Sequence, residues 1–170
     1  MRLFSGKITP LSEEIVRALS ENRDIECESR KEVERDLESV FSQYVAAERE
    51  VMEKAKGLLE SRGMPPSEMG RVRRLCADQK GIKIGDDMLD YLLDQCIEML
   101  MHSNNVEEVF AEDHEIRRRI RPILKKYLDV DTEIEAEVRG QLKHVQEGTR
   151  TWEIEYKRLM GDIQRRKGLV

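Results

Sequence analysis

Aromatic side chains supply only 5% of the 170 residues, and tryptophan occurs once. Aromatics bury more area per residue than other side chains, so the core must come mainly from Leu, Ile, Val, Met and Ala. Cysteine is scarce and odd in number: Cys27, Cys76 and Cys96 lie far apart. That argues against a disulfide framework and fits a reducing compartment. No long apolar run exists; the richest stretch, MLDYLLDQCIEMLM (88–101), is broken by Asp90, Asp94 and Glu98 and cannot span a bilayer. The opening MRLFSGKITPLSEE has no apolar h-region, so a secretory signal is not expected and the chain reads as cytoplasmic. Neither sign of charge dominates. Thirty basic residues face 35 acidic ones, which leaves no global drive toward nucleic acid or anionic lipid.

What is abundant is charge and aliphatic side chains together, at 38% charged and 39% apolar. This balance suits helices with one apolar stripe each. The chain also says the same thing twice. EVERDLESVFSQY (32–44) aligns with EIRRRIRPILKKY (115–127) at an offset of 83 residues. Val33, Leu37, Val40, Phe41 and Tyr44 match Ile116, Ile120, Ile123, Leu124 and Tyr127, and the register continues to Gly57 and Gly140. IVRAL (15–19) answers CIEML (96–100), and RRLCAD (73–78) answers KRLMGD (157–162). Drifting offsets of this kind point to an internal duplication.

Apolar residues in each copy recur every three or four positions, a helical stripe that no strand could use. The expected fold is all-α: a tandem duplication of a three-helix unit, 1–81 and 82–170, the two packed as one body without significant strand. Two long helices are expected, about 29–62 and 113–147. Ser29 with Glu32 reads as a capping box for the first, and Gly63 followed by Pro65 and Pro66 as its stop. Pro122 predicts a kink or break of the second near residue 118. Shorter helices are expected from Thr9 to Glu21, from Asp86 or Asp87 to His102, over 67–80 and over 150–167, with one extra short helix at 106–111 started by Asn105.

The stretch 115–127 holds six basic side chains in thirteen positions. On a helical wheel its apolar residues fill one sector of about 100°. Arg118, Arg121 and Lys125 lie opposite, with Arg117, Arg119 and Lys126 on the flanks. The apolar half is shared with the first copy; the basic half is not. Two readings compete: a solvated helix face, or a surface for phosphate or acidic partners made of Arg117, Arg118, Arg121 and Lys125 together with Arg71, Arg73 and Arg74. No aromatic is interleaved among these charges, which disfavours base stacking on single strands.

No P-loop, EF-hand loop or dinucleotide-binding glycine pattern occurs. None of His102, His114 and His144 sits three residues after a glutamate, so the inward Glu-x-x-His pairs of a di-metal bundle are missing. Asp86, Asp87, Asp90 and Asp94 cluster where a helix starts, as the helix dipole favours. Cys76 and Cys96 read as core positions. No catalytic residue, metal or cofactor is expected. In EGTRTWEIEYKRLMGDI (147–163), Trp152, Tyr156, Leu159 and Ile163 form one stripe behind a helix start at Thr149. Trp152, Tyr156 and Arg150 are candidate partner-binding residues, since Trp, Tyr and Arg dominate interface hot spots.

The closing motif EGTRTWEIEY, with GMPPSEMGRVRRLCADQKG and VEEVFAEDHEIRRRIRPIL upstream, resembles a bacterial family named domain of unknown function 507. The resemblance covers most of the chain. It implies a helical bacterial protein with no assigned activity and no catalytic residues to carry over. The expected function is a non-enzymatic interaction module that docks a protein partner or itself; the alternative is binding to a nucleic-acid backbone through the arginine clusters. No membrane role is expected.

Overall fold

The computed structural model describes residues 1–170. Seven α-helices and one minimal strand pair follow in order: α1 (Ile8–Glu21), β1 (Ile25–Glu26), α2 (Arg30–Arg62), α3 (Met69–Lys80), α4 (Met88–His102), β2 (Glu108–Val109), α5 (Asp113–Leu128), α6 (Val130–Gln141) and α7 (Arg150–Arg166). The chain is essentially all-α, and no helix is long and apolar enough to cross a membrane.

Most of the stripes read from the sequence are buried, with Val40, Ile123 and Tyr127 only partly covered. Val33, Leu37 and Phe41 of α2 and Ile116, Ile120 and Leu124 of α5 are fully sealed, among Leu11, Ile15 and Leu19 of α1 and Leu92, Leu93 and Leu100 of α4. Each such side chain contributes roughly 1.5–3 kcal/mol by leaving water. They belong to one core of 29 buried residues running from Leu3 to Leu128, so it crosses residue 81 without interruption. Packing is reciprocal: α1 lies on α2 and on α5, while α4 lies on α5 and on α2. The strand pair is reciprocal too, antiparallel with Ile25 opposite Val109 and Glu26 opposite Glu108. Two helical arms leave this body. One is the far half of α2 with α3 folded back on it, turned at Gly63 in the left-handed conformation. The other is α6 with α7, which has its own small core of Phe4, Ile134, Val138, Leu142, Ile163 and Leu169.

Three expectations are corrected. The second long helix, 113–147, is two helices, and the break falls at Asp129 and not near residue 118. Pro122 and Arg118 are both exposed, so the Arg118 carbonyl that loses its partner faces water and α5 runs through. At the true break the Arg2 amide donates to the Leu128 carbonyl at 3.0 Å, and the Thr132 amide that would have used it turns to Asp129 at 3.2 Å. The α6 helix itself stops at Gln141, in a turn where the Leu142 amide donates to Val138 and Arg139. The helix expected at 106–111 is instead β2: the Glu107 amide donates to Glu26, and the Phe110 and Ala111 amides to Asp24. Asn105 does not cap a helix; its side-chain amide donates to Asp36 of α2 at 2.9 Å. The Ser29 side chain makes no capping hydrogen bond. The reciprocal box lies at Glu112 and Glu115 on α5, while Thr149 does cap α7 by accepting from the Trp152 amide at 3.2 Å.

Candidate functional site

The basic helix α5 turns its charges outward and then finds partners for most of them. Arg117 pairs with Asp113 and, at 2.6 Å, with Asp94 of α4; Arg121 pairs with Asp90 one turn earlier on α4. Lys126 donates to Glu14 of α1 at 2.7 Å and the Tyr127 hydroxyl does so at 2.8 Å. Burial resists ionisation of Glu14, yet those two hydrogen bonds prevail and hold its carboxyl below the usual range; burial, and then the hydrogen bond to Glu14, push the Tyr127 phenol up to about 12. Arg118 and Lys125 alone on this face stay exposed and without an ion-pair partner.

Arg119 differs from its neighbours. It holds Asp24, whose side chain is only 8% exposed, at the strand pair. Removing Arg119 would strand a buried carboxylate. Arg119→Ala is expected to cost about 2–3 kcal/mol in urea unfolding. Changing Arg118, Arg121 and Lys125 together to Gln is expected to cost less than about 1 kcal/mol, since exposed pairs contribute little. Equal losses from the two variants would contradict this division of the helix.

The α3 arginines do not form one patch. Arg71 pairs with Glu68 at 2.6 Å, Arg74 is exposed and unpaired, and Arg73 turns inward. At the far end of the chain, Arg165 pairs with Asp162, and Arg166 and Lys167 both pair with Glu137. Arg73 reaches a cavity of about 480 Å³ bounded by the N-terminal segment, α2, α3 and α6, with Arg2, Phe4, Val45, Glu48, Arg49 and Met52 in its wall. Its Nε is buried and has no hydrogen-bond partner.

Burial pushes the Glu48 carboxyl above the usual range, outweighing the opposing pull of Arg2, the Tyr44 hydroxyl and Arg73. A carboxyl raised on folding weakens the folded state once it ionises. That loss is relieved as pH falls through the raised value and is gone below the ordinary value of 4.5. Glu48→Gln should therefore melt at a higher temperature than the parent at neutral pH, and the two should coincide below pH 4.5. A Glu48→Gln variant less stable at neutral pH would mean that Arg2 and Arg73 dominate instead.

The aromatic candidates meet on α7. Trp152 and Tyr156 stack at 4.9 Å between ring centroids, and the Arg139 guanidinium of α6 sits 5.5 Å over the indole. Arg139 is fixed in turn by Glu135 at 3.2 Å and Glu147 at 2.8 Å. Arg150 projects into solvent and takes no part in the stack. With Leu159 and Met160, the two aromatics pack against the small second core but remain only half-buried. Cys96 is fully buried and its thiol is pushed up to about 12, while Cys76 is a core residue between α2 and α3. His102 and Glu98 form an exposed pair at 3.2 Å.

The family model described as Protein of unknown function (DUF507) matches residues 1–169. The chain belongs to that family. A search of curated proteins finds no match. Membership in the DUF507 family brings no assigned activity, so the roles of these sites rest on their geometry. Two of the residues in the cavity wall, Arg2 and Arg49, had no signal in the sequence. They come from the first turn of chain and from mid-α2, and only the tertiary packing places them with Arg73.

Proposed function

We propose that the protein is a non-enzymatic helical interaction module that docks a protein partner, or a second copy of itself, through the α7 face carrying Trp152 and Tyr156. One observation carries this reading. On the α6–α7 arm, Trp152, Tyr156, Leu159 and Met160 pack on a core of only six buried residues and are each left partly exposed. A two-helix layer cannot bury such a stripe by itself, and a rigid aromatic pair held by Arg139 suits an interface anchor. Binding to a nucleic-acid backbone through Arg117, Arg118, Arg121 and Lys125 has less support, because two of those four charges are spent on Asp90 and Asp94.

The same reading takes the chain as an internal duplication of 1–81 in 82–170. The reciprocal packing of α1 on α5 and α4 on α2 supports it. So does the strand pair, since at an offset of 83 residues Ile25 faces the counterpart of Glu26 and Glu26 that of Ile25.

The lone tryptophan makes the test direct. Tagged full-length chain should retain its partner from nuclease-treated extract of the native host, with the Trp152 emission shifting to the blue on binding. Tyr156→Ser should lose the partner, while the Arg118, Arg121 and Lys125 to Gln variant should keep it. Retention that vanishes with nuclease treatment, and weakens steeply with salt, would favour the nucleic-acid reading instead.

A further inference from the structure

The cavity between the N-terminal segment, α2, α3 and α6 combines features that ordinary packing does not require. Three arginines, Arg2, Arg49 and Arg73, share its wall, and none of them forms an ion pair. Elsewhere in the fold the arginines of α5 and of the last turn of α7 mostly find carboxylates. Arg2 instead stacks its guanidinium 4.6 Å over the Phe4 ring. The Arg73 Nε is a buried donor with nothing to donate to, and such a group is costly unless an acceptor arrives.

Two acidic side chains line the same space, with the last residue, Val170, beside them; neither side chain forms an ion pair with these arginines, though Arg2 and Arg73 attract Glu48. Asp131 is taken by the Met1 amino group at 3.3 Å. Glu48 lies 3.4 Å from the Tyr44 hydroxyl, whose shorter hydrogen bond goes to the Lys83 carbonyl at 2.8 Å, and its partial burial resists ionisation. The cavity is thus left with surplus positive charge in fork-shaped donors, which match the oxygens of phosphate better than an ammonium would. Its volume, about 480 Å³, falls within the range of small-molecule sites, roughly 300–1,000 Å³. That is far more room than one oxyanion fills. Val45 and Met52 supply apolar lining beside Ser5.

We propose that this cavity binds a small phosphate monoester, its oxyanion held by Arg2, Arg49 and Arg73 and its organic body laid along Val45 and Met52. No bond is made or broken there; the site binds and does not transform. It is independent of the α7 face, so either can fail without the other.

Phenyl phosphate is a suitable probe, with benzoate and inorganic phosphate as comparisons and sodium chloride at matched ionic strength as the control. Phenyl phosphate should raise the melting temperature of the full chain above the chloride control and bind more tightly than either comparison. Arg73→Gln and Arg49→Gln should each weaken it about tenfold or more, the scale of losing one charge-assisted hydrogen bond. The Arg118, Arg121 and Lys125 to Gln variant should bind as the parent does. Arg49 is exposed, so its variant stays informative even where Arg73→Gln unfolds. No shift beyond the chloride control would overturn the proposal. So would benzoate binding as tightly as phenyl phosphate, a folded Arg49→Gln chain that binds like the parent, or equal weakening by the α5 variant.

Discussion

Ile120→Asp is expected to abolish the cooperative thermal transition of the chain. Ile120 is 0% exposed at the centre of α5 and faces the shared core of α1, α2, α4 and α5. The substitution loses about 2 kcal/mol of apolar burial and adds a carboxylate with no partner. Burying an unpaired charge costs several kcal/mol more. A domain of ordinary stability, about 5–15 kcal/mol, has little left after such a loss. Leu37→Asp on α2 should behave alike, because Leu37 is also 0% exposed and belongs to the same core. Circular dichroism melts decide the matter. If either variant melts like the parent, the inner faces of α2 and α5 have been assigned wrongly.

Gly6→Ala is expected to release the α6–α7 arm. The Gly6 amide donates to the Leu169 carbonyl at 2.9 Å, which latches the chain's last residues against its first turn. A Cβ at Gly6 would lie 2.1 Å from the Gly168 carbonyl oxygen, and no flexible side chain is there to yield. The backbone must part, taking Leu169 out of a core of only six buried residues that also needs Phe4 from the same turn. The expected cost is about 3 kcal/mol, at the upper end for overpacking. It should fall on the arm alone: amides of α6 and α7 lose hydrogen-exchange protection while those of α4 and α5 keep theirs. Gly57→Ala is the control. Gly57 lies inside α2 with nothing within 4 Å of an added Cβ, so it should stabilise by about 0.5–1 kcal/mol. Uniform loss of protection in Gly6→Ala would show that the arm and the body unfold as one unit.

The elements legible from the sequence are those whose cause is local. The α2 stripe, its stop at Gly63 and the Thr149 cap of α7 each depend on residues within a turn or two, and each stands where the spacing puts it. The break at Asp129 was not legible, because the group that takes the Leu128 carbonyl is the amide of Arg2, at the other end of the chain. The pull of β1 on residues 107–111 is likewise a long-range effect that local helix signals cannot register. The basic stretch was half legible. Its outward face followed from the wheel, but the acids that answer it sit on other elements: Glu14 on α1, Asp24 beside β1, Asp90 and Asp94 on α4. Asp90 and Asp94 had a sufficient local explanation in the helix dipole, which concealed their role as partners of Arg121 and Arg117. Among the arginines of α3, spacing could not tell that Arg73 alone turns into a cavity.

The claim that matters most is that the half-covered α7 face is where the protein meets its partner. Replacing Tyr156 with the photoreactive p-benzoylphenylalanine, close in shape to tyrosine, tests it in the native host with the whole chain present. Irradiation should give one discrete covalent adduct to a protein, either a second copy of this chain or a distinct polypeptide, and the same probe at Arg118 on the outer face of α5 should give none. An adduct from position 118 and nothing from position 156 would contradict the account.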